Sequence, residues 1–414
     1  MKRKIIVISL LILGVSSLLL GFAYQNKLEV ERKNKLEKEA ALRENETKKR
    51  IKEAYHENVI TSKELNLYKL ENKKYIKSGK TFKDTIFNLE DNDNLDGYYK
   101  IRNSDYYLYY TDFVETTNTN DDRYSNYIYF PSEITTKEDS KFYNSDGVEV
   151  FTLKNGIKLQ VLVNLADSYG VVLFDRLVFI KKNSILSVDE LKDTAEVAEK
   201  VPVLNYHFIY LEGESCDEMI CHPESQINEQ FAYLSANKVF TLTTKELGQF
   251  ISGEIRLPKK SILLTIDDGA RAEKFIPFLE KYKINATLFL VSSWYPKETF
   301  TSNYLELASH THDMHTNGVC PMGQGGGIRC LSEDKIQADL KASRETLNNT
   351  EAFCYPFYEY NDYAIEQVKK AGFKLAFIGG NKMVTKDTNP YLIPRYVIYK
   401  NTGLNYLQSL LLNF

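Results

Sequence analysis

The chain has 414 residues, 43% of them hydrophobic, which is enough for two or three domains with real cores and excludes a disordered polymer. Lysine plus arginine (53) nearly balance aspartate plus glutamate (56), and the net charge of −3 offers no clustered positive field, so nucleic acid is excluded as an expected partner.

Lys2, Arg3 and Lys4 precede an apolar run from Ile5 to Ala23, about 19 residues, which is long enough for a hydrocarbon core of about 30 Å. The apolar core of a cleaved signal is shorter, about 7–15 residues, so residues 1–24 read as a cytoplasmic tip and a single-pass membrane anchor, with the rest of the chain extracytoplasmic. Residues 25–59 are mostly Lys, Arg, Glu, Asn and Ala, with Glu and Lys often three or four apart, and predict a solvated spacer helix. From 60 to 195, short runs of Tyr, Phe, Ile and Val alternate with turns rich in Asn, Asp and Gly, which predicts a β-rich stalk. Two stretches of it, Tyr68 to Phe113 and Lys141 to Ile185, share an outline, and the second resembles small SH3-like barrels. Their tyrosines suit either half-buried packing or stacking on sugar rings.

Residues 196–414 alternate strand and helix patterns, which predicts an α/β domain, a distorted (β/α) barrel whose functional groups gather at the carboxyl ends of its strands. Strands are expected at Val201–His207, Ser261–Ile266, Ala286–Val291, just before His310, at Ala352–Tyr355 and at Lys374–Ile378. All five cysteines lie in this half. Cys216 with Cys221 and Cys320 with Cys330 read as two local disulfides in an oxidising compartment, leaving Cys354 over.

Two motifs carry chemistry. Thr265-Ile-Asp-Asp-Gly ends an apolar strand in two carboxylates, Asp267 and Asp268, which side-chain alternation sends in different directions. Ser309-His-Thr-His-Asp-Met-His then places His310, His312 and His315, half of the six histidines, after another strand. Two imidazoles and a carboxylate from another strand end make a metal site with open positions.

With these motifs the chain resembles the polysaccharide deacetylases, the NodB-homology or fourth carbohydrate esterase family. Thr265 to Gly269 is similar to the family's Thr-Phe-Asp-Asp-Gly, His310 to His315 to its His-Ser/Thr-x-x-His, and Phe353-Cys-Tyr-Pro-Phe to its Arg-Pro-Pro-Tyr segment. The resemblance implies Asp267 as catalytic base, Asp268, His310 and His315 as ligands of one divalent cation, zinc, and the Phe357 backbone N–H as oxyanion donor. Tyr355, Trp294 after the Ala286–Val291 strand, and His207 after the first strand are the candidate substrate-binding residues.

The five-residue step from His310 to His315 is one longer than usual and resembles the subgroup acting on poly-N-acetylglucosamine. Cys354 stands where the family commonly has the arginine that orients the base, and Arg395 is the candidate to supply that charge. No histidine follows His315 to protonate the leaving amine. The expected function is metal-dependent removal of N-acetyl groups from a cell-surface amino-sugar polymer, peptidoglycan or poly-N-acetylglucosamine. The alternatives are an O-acetyl esterase and a weakly active wall-binding scaffold.

Overall fold

The computed structural model describes residues 2–91, 96–117, 123–154 and 156–412, with side chains from 21 to 411 within them. Lys2–Glu53 form one helix of 52 residues, supported on its polar stretch by the i,i+4 pairs Glu44–Lys48 and Lys49–Glu53. Among the described residues no helix is long and apolar enough to cross a membrane. Most of the apolar run expected as the anchor, residues 5–20, lies outside those with described side chains. The expected spacer ends early, at Glu53, and the first strand begins at Asn58.

The chain divides into two compact units, one of residues 1–120, 138–156 and 173–176, the other of 121–137, 157–172 and 177–414. The boundary expected at 195 therefore falls inside the second unit. In the first unit, the Leu65–Glu71 and Lys74–Thr81 hairpin is extended on one side by Tyr106–Tyr109 and Tyr98–Lys100, and on the other by Glu149–Leu153 and Ser140–Tyr143. Two separate SH3-like repeats are thus not what pairs: a strand from the second stretch hydrogen-bonds to a strand from the first, with Phe151 opposite Thr81. Rhythm along the chain sets where strands fall but not which strands meet. Tyr68, Tyr75, Tyr98, Tyr107 and Tyr109 share one half-exposed face of this sheet, where Tyr75 stacks on Tyr98 at 3.8 Å.

In the second unit seven strands run in the order Leu375–Phe377, Ala352–Cys354, Leu305–Ser309, Ala286–Leu290, Ser261–Asp268, Val203–Tyr206 and Tyr396–Val397. All their pairings are parallel, and Phe377 bridges Ile393 on the approach to the last strand, so the sheet curls into a distorted barrel. Helices Glu224–Ala236, Ile276–Tyr282, Glu333–Thr346 and Asp362–Lys370 follow strands, as the alternating pattern predicts. Pairing of Asn164 with Glu254 and of Arg256 with Asp193 (2.7 Å) ties the strands Ser132–Thr136, Lys158–Asn164 and Ile185–Glu190 into this unit.

Strand alternation sorts the side chains into two layers. Ile262, Leu264 and Ile266 pack toward the helices, with Leu288, Phe231 and Phe275, while Leu263, Phe289 and Phe377 fill the interior. Counting on by twos, the inward positions at the strand ends are Asn205, His207, Asp267, His310, Cys354 and Arg395. Phe289 is the interior's central ring, 4.9 Å from Phe377 and 5.5 Å from the Arg395 guanidinium. We predict that Phe289→Ala lowers the unfolding free energy of this unit by about 3–5 kcal/mol in urea. The fluorescence of Trp294, the sole tryptophan, is the readout for the unit that contains it.

Candidate metal centre and active site

Ser261–Asp268 ends in a sharp reversal: Asp267 is still extended and 1% exposed, while Asp268 takes φ 74°. Gly269 follows at φ 111°, where an added Cβ would lie 2.5 Å from Leu290 Cδ1, so only glycine fits. The two aspartates consequently diverge.

Asp268 Oδ1 lies 3.4 Å from His310 Nε2 and 3.3 Å from His315 Nε2. Metal bonds of about 2.0–2.2 Å at tetrahedral angles require ligand atoms about 3.3–3.5 Å apart. Asp268 Oδ1 is also buried without a hydrogen-bond partner, which fits a lone pair reserved for a cation. His310 Nδ1 sits 2.9 Å from the Cys354 carbonyl, so that nitrogen is the donor and Nε2 turns its lone pair to Asp268. Burial opposes charge on His310, but Cys354, Asp268 and Asp267 outweigh it and hold its pKa well up. Burial, with His310 adding to it, pushes His315 down to about 4.

Asp267, His310 and Cys354 also bring three ligating atoms within 4.8 Å. That group is already satisfied: Arg395 grips both Asp267 oxygens, Nη1 to Oδ1 at 2.7 Å and Nη2 to Oδ2 at 2.8 Å, and reaches Cys354 Sγ at 2.9 Å. Burial by itself raises the Asp267 carboxyl, yet the Arg395 guanidinium overrides it, with His310 and His207 in support, and holds it well below the usual carboxylate range. Oδ2 also accepts from Asn205 Nδ2 at 3.1 Å, which leaves Oδ1 as the less occupied oxygen.

The structure places the remaining expected residues unequally. His207 Nε2 is 4.0 Å from Asp267 Oδ2, its Nδ1 has no partner, and its backbone N–H donates to His222 Nε2. Phe357 lays its ring 4.5 Å from that of His315, and Trp294, 45% exposed, stands edge-on to His315 at 5.3 Å. Tyr355 does not reach the cleft. It follows Cys354 by one residue, so alternation turns it outward into the helix layer, fully buried against Phe353 and Tyr360. His312 meets Ser292 Oγ at 3.0 Å, away from the cluster. A cavity of about 1070 Å³ opens elsewhere, at the amino-terminal ends of the strands beside Leu305 and Leu375, and touches none of these residues.

Sequence reasoning missed four supports. Asn205 was legible as a polar residue in an apolar strand; its Nδ2 also donates to the Tyr358 hydroxyl at 2.6 Å. Tyr358, Glu359 and Asp339 carried no local signal. Asp339 accepts the His312 and Asp313 backbone N–H groups, both at 2.7 Å, and so pins the turn between His310 and His315.

Residues 254–376 match the family model of polysaccharide deacetylases. The chain carries a polysaccharide deacetylase domain. Its similarity to poly-beta-1,6-N-acetyl-D-glucosamine N-deacetylase of Staphylococcus aureus is 29% identity over 228 residues, 47% of this chain and 77% of the relative. The same enzyme of Staphylococcus epidermidis is 27% identical over 240 residues, 53% and 80%. Among solved structures, IcaB from Ammonifex degensii aligns at TM-score 0.45 and 21% identity, covering 52% of this chain and 98% of that one.

We predict that Asp339→Ala in the deacetylase domain weakens zinc binding about 10–100-fold in competition with a chromophoric chelator, because the His310–His315 turn loses its anchor. His312→Ala should leave zinc affinity near the parent's.

Proposed function

We propose that this protein is a metal-dependent N-deacetylase of poly-β-1,6-N-acetylglucosamine, acting outside the membrane to which residues 5–23 anchor it. The observation that carries the reading is an Asp268–His310–His315 cluster at metal-ligand spacing, directly beside an aspartate that Arg395 keeps ionised. Asp268, His310 and His315 would hold a zinc ion, which would polarise the acetamide carbonyl as a Lewis acid and lower the pKa of a water.

Asp267 takes a proton from the attacking water through Oδ1. Its position does not drift, because Arg395 binds it in a two-pronged fork and Asn205 holds the other oxygen. The Phe357 N–H stabilises the negative charge that develops on the carbonyl oxygen. As the carbon–nitrogen bond breaks, Asp267 returns its proton to the departing amine, and acetate and a free amino sugar leave. His207 lines the same wall, and the exposed face of Trp294 offers a stacking surface for a sugar ring. The 1,6-linked polymer is favoured over peptidoglycan by the five-residue histidine step and by the substrate named in the relatives' own descriptions.

The detergent-solubilised protein loaded with zinc should release acetate from β-1,6-linked N-acetylglucosamine oligomers faster than from peptidoglycan, and Asp267→Asn should lose at least about 10²-fold in kcat. Faster release from peptidoglycan would reverse the substrate assignment, and release only from O-acetylated polymers would make it an esterase. Arg395→Met removes the largest influence opposing burial at Asp267, so its pKa rises. We expect the acid limb of kcat/KM to move to higher pH by about one unit or more, at unchanged zinc content.

A further inference from the structure

Phe357 and Tyr358 are consecutive non-glycine residues in the left-handed region, at φ 58° and 59°, a conformation that side chains bearing a Cβ rarely adopt unless their surroundings impose it. On one side the imposition comes from Asn205, which donates to the Tyr358 hydroxyl. On the other it comes from Glu359. The Gln324 N–H donates to Glu359 Oε1, the Gly326 N–H to Oε2 at 2.8 Å, and Arg329 Nη2 lies 3.0 Å from Oε2.

Both amides belong to the loop that the Cys320–Cys330 disulfide closes, and that loop is braced internally by Gly318 N–H to Gln324 O and Val319 N–H to Gly325 O. Its glycines are there for closeness: a Cβ at Gly323 would run into Glu359 Oε1, and one at Gly326 would stand 3.3 Å from Oε2 and 3.5 Å from Phe357 Cδ2. The loop's anion-receiving amides are thus occupied from within by a carboxylate two residues beyond Phe357.

We infer that Glu359 is a positioning residue for the deacetylation, clamping the disulfide-closed loop to the segment that carries the Phe357 N–H and so holding that donor, and the ring on His315, in place. The inference rests on the deacetylase reading. Loss of the clamp frees Phe357 and Tyr358 to relax, which removes a donor needed in the transition state while leaving the metal ligands and the Trp294 face intact.

The test compares the full-length protein in detergent with Glu359→Ala, Glu359→Gln and the double variant Cys320→Ser/Cys330→Ser. In Glu359→Ala, hydrogen–deuterium exchange should speed up in peptides covering 318–330 and 356–360 and stay unchanged in 261–268. On β-1,6-linked N-acetylglucosamine oligomers its kcat should fall about 10²-fold, with KM within about 2-fold and zinc content unchanged. Glu359→Gln, which keeps one acceptor oxygen, should fall between it and the parent. The cysteine pair should shift both readouts in the same direction and decides the matter where Glu359→Ala does not fold. Unchanged exchange in the two peptides, or faster exchange with kcat within about 3-fold of the parent, overturns the clamp. Absence of acetate release by the parent would sink the deacetylase reading instead, and the exchange data would then decide the clamp by themselves.

Discussion

The Asp267–Arg395 pair is the interaction on which the domain's site depends. Both side chains are essentially sealed from solvent in an interior otherwise filled by Leu263, Phe289 and Phe377. A lone buried charge there would be untenable, and removing one partner of such a pair typically costs about 3–5 kcal/mol. The fork joins the end of Ser261–Asp268 to the segment entering Tyr396–Val397, so the same contact that orients Asp267 also ties two strands of the curled sheet. Cys354, standing where the family resemblance leads one to expect an arginine, leaves room for Arg395 to arrive from a different strand and touches both its charge and Asp267.

Around that pair, the segments with working groups share a device. Asp268 at φ 74°, Thr311 at φ 75° and Phe357 at φ 58° each break the strand that precedes them in a conformation unfavourable for their residue type. Each is held from outside: the Asp268 carbonyl accepts from Val291 N–H, the Thr311 turn is pinned by Asp339, and the Phe357 segment by Asn205 and Glu359. The strain lets side chains from three strand ends converge on one point, and the supports keep it from relaxing. Asp339 and Glu359 act by accepting backbone N–H groups of the loops, which no strand partner satisfies, whereas Asn205 acts by donating to a side-chain hydroxyl.

The remainder of the chain is organised differently. A 52-residue helix leads into a β-rich unit whose strands pair across the sequence, and one face of that sheet carries a ladder of five tyrosines. Stretches between residues 121 and 195 divide between this unit and the barrel's own.

By itself the sequence determined whatever depends on local order. The alternation of apolar strand and helix patterns set the class of the domain. Asp-Asp-Gly and the histidine triplet at strand ends marked the chemistry, and the short cysteine spacings set the disulfides, because neighbours five or ten residues apart meet whatever the rest of the chain does. Tertiary structure alone decided which inward positions face one another. It joined Arg395, which the sequence offered only as a candidate, to Asp267 across 128 positions, brought Asp339 and Glu359 to turns with which they share no sequence pattern, and turned Tyr355 away from the cleft. Strand parity links these outcomes: a residue's side of a sheet follows from counting by twos only once the strand's end and partners are known, and long-range pairing sets both.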